Sequence, residues 1–308
     1  MNPLNPSADP VDVSIVIPAR NEAATIGRCL DAVFGQQTDY TFEVIVIDSG
    51  STDGTLDVLR QYPAVQLLRI RAEEFGHGKT RNLGARSATG RYLVFLNADA
   101  VPADSSWLNH LLSPFSHPKN PPIAGVYSRH LPHPDCDLYM VRDLSRAMPA
   151  TPKMHSRASA LDFFLFSTVS GAIDRDIWAR FPFEDTIPIA EDQEWGRRVL
   201  THGFSIVYEP ASTVYHSHRY SPDQLEEIKF RVGVSETKFN SRLAAQILGF
   251  FLALGGMVTK MVGDGIFILF LGPRFSLREK GNEFVTAFKA RVASFRGRYR
   301  GWNHRWIK

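Results

Sequence analysis

Cysteine is nearly absent from this chain. Cys29 and Cys136 are the only two, and their spacing matches no metal-binding pattern. A disulfide-stapled scaffold is therefore excluded, and a reducing compartment is expected. A confident membrane span is missing too, because a spanning helix needs about 20 apolar residues. The uncharged stretch from Leu243 to Thr259 is 17 residues long before Lys260 and Asp264 interrupt it. Residues 1–10 lack the basic region and apolar core of a signal peptide and read as a loose tail. No Gly-x-Gly-x-x-Gly follows the first strand, and no Walker-type phosphate loop occurs, so nicotinamide-dependent redox chemistry and P-loop chemistry are poorly supported. No strand interleaves aromatic and basic residues, so no nucleic-acid partner is expected.

What is present suits an ordinary globular chain: 308 residues, 44% hydrophobic and 22% charged. The net charge of +3 hides an asymmetry. Ten Lys or Arg against two acids fall between Pro273 and Lys308, which leaves a mildly acidic body with a basic tail. Basic tails meet phosphates, here on anionic lipid, or else form a solvated helical face.

Strands and helices alternate through the first hundred residues. The patterning predicts strands at 11–17, 42–47, 65–70 and 92–96. Helices are predicted at 23–34, at 55–62 and from Gly76 to about Gly90. Such an order implies a mostly parallel sheet flanked by helices. Three strands end in polar loops, Pro18-Ala-Arg-Asn-Glu22, Asp48-Ser-Gly-Ser-Thr-Asp-Gly54 and Asn97-Ala-Asp99-Ala100. Loops of this kind fall on one edge of a parallel sheet, where α/β proteins bind ligands. A carboxylate at a strand end, such as Asp99, can hold a hard cation, and the cation a diphosphate. Asp48 is placed to accept from a pyrimidine N3–H or a ribose hydroxyl, and Ser49 to offer its backbone N–H. Asp53 reads as a helix cap. Lys79 and Arg81, behind two glycines at a helix start, suit a diphosphate or else a mobile surface loop.

Farther along, residues 113–167 read as irregular and Pro-rich, the pattern of a lid or acceptor-binding loop. Gly171 is expected to let a ligand approach the backbone. Glu191-Asp192 opens a helix whose inner face is Trp195, Val199 and Leu200. Its carboxylates either favour the helix dipole or face a cleft as a general base for a sugar hydroxyl. Residues 204–218 read as strand, turning at Pro210. Period-two alternation puts His216 and His218 on one face, as metal ligands or as structural imidazoles.

Taken together, these segments resemble a family 2 glycosyltransferase of the GT-A fold. The resemblance rests on Ser14-Ile-Val-Ile-Pro-Ala-Arg-Asn-Glu22, Val46-Ile-Asp-Ser-Gly-Ser-Thr-Asp-Gly54, Gly78-Lys-Thr-Arg-Asn-Leu-Gly84, Phe95-Leu-Asn-Ala-Asp99 and Glu191-Asp192. Within the family, His77-Gly78-Lys-Thr-Arg-Asn82, Glu191-Asp-Gln-Glu-Trp195 and His216-Ser-His-Arg-Tyr-Ser221 look like the bacterial rhamnosyltransferase-type members. The resemblance implies an inverting hexosyltransferase that moves a sugar from a UDP- or dTDP-linked donor to a hydroxyl, in cell-surface glycan or polysaccharide synthesis. It implies Asp192 as catalytic base, and Pro18, Ala19, Glu22, Asp48, Ser49, Lys79, Arg81, Asn97 and Ala98 around the donor. Asp99 and His216 would hold Mg²⁺ or Mn²⁺, with His218, Glu191, Trp195 and Gly171 in supporting or acceptor roles. Asn97 stands where the family's Asp-x-Asp motif has its first Asp. That substitution is the best support for the competing reading, a sugar-nucleotide-binding protein without turnover.

Residues 11–222 are thus expected to form the catalytic unit and 223–308 a helical extension, apolar and then basic. Amphipathic helices lying on a membrane would suit a lipid-linked acceptor and a cytoplasmic location at the inner face of the plasma membrane. The alternative is a helical pair packed on the catalytic unit or across a homodimer.

Overall fold

The computed structural model describes residues 11–117, 119–158, 164–239, 249–271 and 275–304. The β-branched runs of the first hundred residues become β1 (Val13–Ala19), β2 (Phe42–Asp48), β3 (Val65–Arg69) and β4 (Tyr92–Leu96). All four are parallel and lie in the order β3-β2-β1-β4. Their helices are α1 (Ile26–Phe34), α2 (Thr55–Leu59) and α3 (His77–Ser87). In α1 the residues at helical spacing, Ile26, Leu30 and Val33, are buried, whereas Phe34 turns outward to stack on Tyr62.

Beyond β4 the sheet continues through elements that pattern reading missed. A short β5 (Val101–Pro102) and α4 (Trp107–Leu112) lead to β6 (Ile123–Leu131), a nine-residue strand in the middle of the sheet. Next come α5 (Leu138–Ala147) and β7 (Lys153–His155). The expectation of an irregular stretch over 113–167 is therefore corrected. Ile123-Ala-Gly-Val-Tyr127 is apolar enough for a buried strand, but Pro121-Pro122 before it and Arg129-His130 within it mask the signal. The strand is held by neighbours distant in sequence. β8 (Ser170–Asp174) pairs antiparallel with both β4 and β6, and β9 (Ser205–Tyr215) runs parallel to β6. Between them lie α6 (Arg175–Arg180) and α7 (Glu191–Thr201). The complete order is β3-β2-β1-β4-β8-β6-β9-β5, with β7 also on β9. Pro210 does not break β9. A register shift against β6 at Ser128/Arg129 absorbs it, as a bulge does.

Helices cover both faces. One apolar layer joins Ile15, Ile17, Val44 and Val46 to α1 and to Trp107 and Leu108 of α4. The other joins Val16, Ile45, Ile47 and Phe95 to Trp178 of α6 and to Trp195, Val199 and Leu200 of α7. A sheet buried on both sides explains why its strands read as continuous hydrophobic runs.

The C-terminal region is helical: α8 (Pro222–Phe239), α9 (Gly249–Ile266) with a π-helical turn at Phe267–Leu271, and α10 (Leu277–Trp302), which opens with a Ser276–Glu279 capping box. The first part of the uncharged stretch, residues 243–248, lies outside the described residues. No helix among the described residues is long and apolar enough to cross a membrane. Helices α8 and α10 cross closely, since a Cβ on Gly297 would fall 2.1 Å from the carbonyl oxygen of Glu226. Arg298 pairs with Glu236, and both Arg296 and Arg300 pair with Glu226. Three of the tail's ten cations are thus paired with α8 acids. Asp264, the acid that interrupts the apolar stretch, is 1% exposed and bridges two buried arginines, Arg142 of α5 at 2.6 Å and Arg291 of α10 at 2.8 Å.

Candidate active site

Because β1, β2 and β4 are parallel and adjacent, their C-terminal loops converge on one sheet edge. Asn21 takes a left-handed conformation (φ 56°), which Asn tolerates better than most residues. It laces the first loop to the second: its N–H donates to the Ser51 hydroxyl, and its side-chain oxygen accepts from the Thr52 N–H. Asp48 is fully buried, and its carboxylate accepts from the N–H groups of Gly50 (3.1 Å) and Ser51 (3.2 Å). It therefore holds the turn. Beside it the buried Ser49 hydroxyl has no partner among the described residues. The cap position of α2 is Gly54, and Asp53 just before it accepts from the Thr55 N–H at 2.9 Å and from the Ala23 N–H at 3.1 Å, tying the second loop to the first. Pro18 is partly exposed and Ala19 buried, the carbonyl of Ala19 accepting from the Ser49 N–H. Glu22, partly exposed, accepts from the Thr25 hydroxyl, and burial raises its carboxyl above the usual range.

The third loop carries Asp99. Its carboxylate oxygens lie 3.6 Å from His216 Nε2 and 3.4 Å from His218 Nε2, and the two imidazole nitrogens are 3.1 Å apart. One ligand atom from each of the three residues falls within 4.8 Å of the others, a span that a single divalent cation can bridge. The pairing of His216 with His218 was read from strand alternation, yet both lie just past the end of β9. Burial and the neighbouring His218 and His133 push the His216 imidazole down to about 3, so it is neutral at physiological pH and ready to be a ligand. A cavity of about 520 Å³ opens onto Asp99 and His218, lined also by Glu22, Arg28 and Arg219.

The Thr168-Val169 segment and Arg81 link the Asn97-Ala98-Asp99 turn to the neighbourhood of the carboxylate expected to be the base. Asp192 sits in the first turn of α7. Its carboxylate accepts from the Thr168 N–H at 3.2 Å and from the Gln193 N–H at 2.8 Å. Burial, with the adjacent Glu191, pushes it up to about 6 despite Arg81 and these donors. The residue before α7, Ala190, is left-handed (φ 65°), a strained state for a residue with a Cβ. Thr168 was missed because nothing local marks it. His77, at the start of α3, is near enough to feel the Asp192 charge, and burial lowers its imidazole to about 4.

Four expected contacts are corrected. Arg81, assigned to a diphosphate, is 5% exposed and turns inward, donating to Glu191 at 2.8 Å and to the Asn97 side-chain oxygen at 2.9 Å. Glu191 is correspondingly buried and serves Arg81. Trp195 is fully buried in the core against Phe166, its Nε1 donating to the Phe181 carbonyl, so it cannot meet an acceptor. Gly171 makes room for the chain and not for a ligand, since a Cβ there would lie 2.4 Å from the Ser167 carbonyl oxygen. Ala98 is buried as well, whereas Lys79 is exposed.

A mixed sheet covered by helices on both faces, with an acid-and-histidine cluster at its loop edge, is the architecture of a GT-A type glycosyltransferase. The profile of glycosyl transferase family 2 matches residues 14–142. The O-antigen chain rhamnosyltransferase RfbN of Salmonella typhimurium is 31% identical over 230 residues, 72% of this chain and 71% of that protein. The rhamnosyltransferase WbaN of Salmonella anatum is likewise 31% identical, over 229 residues. The chain belongs to glycosyl transferase family 2 and resembles its rhamnosyltransferase members. Among solved structures, the mannosyltransferase PcManGT from Pyrobaculum calidifontis, in complex with GDP-Man and Mn²⁺, aligns with a TM-score of 0.60 at 18% identity. That alignment covers 95% of this chain and 90% of that one. TarS of S. aureus in complex with UDP gives 0.52 at 15% identity, covering 94% and 89%. At these identities the two structures speak to the fold alone.

Proposed function

We propose that this protein is an inverting, metal-dependent glycosyltransferase of cell-surface glycan synthesis that takes a UDP- or dTDP-linked sugar. The single observation that supports the reading is the cluster of Asp99, His216 and His218 at the third loop, to which Arg81 ties the helix that carries Asp192. Pro18 and Glu22 flank the nucleoside, the Asp48–Ser51 turn and Ser49 form its floor, and the exposed Lys79 meets the diphosphate. Asp99 and His216, with His218 beside them, fit Mg²⁺ or Mn²⁺: one carboxylate and neutral imidazoles in reach of one another. The ion, when bound, neutralises charge building on the departing diphosphate. Asp192 accepts the proton of the acceptor hydroxyl as that oxygen attacks the anomeric carbon from the face opposite the leaving group. In this reading one protein base activates the acceptor and no covalent intermediate forms, so attack is direct and the anomeric configuration inverts. The likeness to two O-antigen rhamnosyltransferases supports a glycan or lipid-linked acceptor.

We assign 11–222 to the catalytic unit and 223–308 to the extension. Helix α9 presents Val258, Val262 and Ile266, each at least half exposed, at successive helical turns, and Phe270 beyond them is 77% exposed. Arg278 and Lys289 are exposed on α10. We read this face as a peripheral contact with the inner leaflet, which places the enzyme in the cytoplasm at the plasma membrane.

The reading is tested by the melting temperature of the purified protein against nucleoside diphosphates and their sugars, with and without Mn²⁺. A ligand bound only by the folded state raises it by mass action. Metal-dependent stabilisation by a UDP or dTDP sugar supports the reading. A folded protein indifferent to all of them overturns it.

A further inference from the structure

We propose that Arg81 is a positioning residue, a buried strut that sets the base-bearing helix against the metal-side loop, and that Asn97 serves this strut and not the metal. The inference rests on the transferase reading above. Arg81 projects from α3, and its fork is divided. One terminal nitrogen donates to Glu191, the first residue of α7 and the neighbour of Asp192, at 2.8 Å. The other donates to the side-chain oxygen of Asn97 at 2.9 Å. The two ends of the reaction, the base at 192 and the cation ligand at 99, are each within two residues of an Arg81 contact.

The position of Asn97 is fixed from several sides. Its backbone N–H donates to the Val169 carbonyl at 3.0 Å, its own carbonyl accepts from the Ala100 N–H at 2.9 Å, and its side chain is drawn toward α3. Asp99 meets different partners, His216 and His218. A planar guanidinium can satisfy two acceptors in fixed directions, which an ammonium cannot. Charge accounts for the residue type. Arg81 and Glu191, 5% and 3% exposed, neutralise one another. A neutral amide at 97 completes the group without adding charge, whereas an Asp would leave a partly buried excess of one beside the Arg81–Glu191 pair. Asn in place of the family's Asp is thus the acceptor suited to an arginine already balanced by Glu191, and no sign of a dead site.

The test uses four variants of the full chain. Arg81→Gln alone leaves Glu191 buried and unpaired, so its melting temperature falls. Arg81→Gln with Glu191→Gln removes both charges and recovers it. Positioning predicts that the recovered double variant, like Arg81→Lys, keeps the donor KM but loses about 100-fold in kcat, the cost of a misplacement near 1 Å. In Asn97→Asp, Mn²⁺ affinity by calorimetry should stay close to that of the parent protein. Wild-type turnover in the folded double variant would make the network purely structural. A raised KM with kcat kept would return Arg81 to the donor site. A gain in Mn²⁺ affinity of about tenfold or more in Asn97→Asp would make position 97 a ligand. Each result overturns the proposal. An inactive wild-type enzyme across all donors would instead count against the transferase reading itself.

Discussion

In its proposed role as base, Asp192 has to meet two demands that conflict in water: to be ionised to accept a proton and basic enough to want one. Burial beside Glu191 supplies the basicity, and the Thr168 and Gln193 N–H groups keep the ionised form within reach. With the carboxyl pushed up to about 6, the unprotonated base accumulates as pH rises through 6. The expected kcat/KM profile therefore climbs with an acid limb near that value and flattens above it. In Asp192→Asn, turnover should fall by at least about 100-fold, while donor binding by calorimetry stays nearly intact. Transfer at the wild-type rate would remove the base assignment. Ala190, two residues earlier, holds a left-handed backbone that costs roughly 1–2 kcal/mol with a Cβ present. Glycine relieves that cost and adds about 0.5–1 kcal/mol of unfolded-state entropy. Ala190→Gly should thus raise stability slightly in chemical denaturation, where most Ala→Gly changes lower it. At this scale the meeting of Asp99 with His216 and His218 was legible, because the resembling motifs put residue types capable of holding one ion in register. Arg81, Trp195 and Gly171 were not. Whether an arginine faces solvent or interior depends on what lies across the gap, and here that is Glu191, 110 residues away.

Among the elements, the four parallel strands and their helices followed directly from apolar runs and helical spacing. β6 did not, because its partners β8 and β9 follow it by dozens of residues and its own signal is diluted by proline, arginine and histidine. The extension shows the same limit. Lys260 and Asp264 looked like breaks in an apolar helix, yet Asp264 is what fastens α9 to α5 and α10. Removing one partner from a buried ion network costs about 3–5 kcal/mol because a charge is left uncompensated. Asp264→Asn should accordingly cause a large loss in thermal or denaturant stability. A loss below about 1 kcal/mol, the scale of surface pairs, would mean that the arginines reach water.

For the whole molecule, the question is where the exposed face of α9 and the start of α10 goes. If it lies on lipid, the protein should sediment with vesicles containing phosphatidylglycerol and much less with phosphatidylcholine alone. Val262→Asp with Phe270→Asp should abolish sedimentation without lowering the melting temperature. Concentration-dependent dimerisation that these substitutions abolish, with no vesicle binding, would assign the face to a second copy.

Local physics was enough to determine the alternating sheet-and-helix order, the polar strand-end loops and the residue types capable of metal and base chemistry. Side-chain period and turn chemistry act over a few residues. Which of those residues meet was decided only by the tertiary structure. It places His216 and His218 against Asp99 across more than a hundred residues, and it turns Arg81 inward between Glu191 of α7 and Asn97 of the third loop. Burial and charge pairing depend on segments remote in sequence, and no window along the chain contains them.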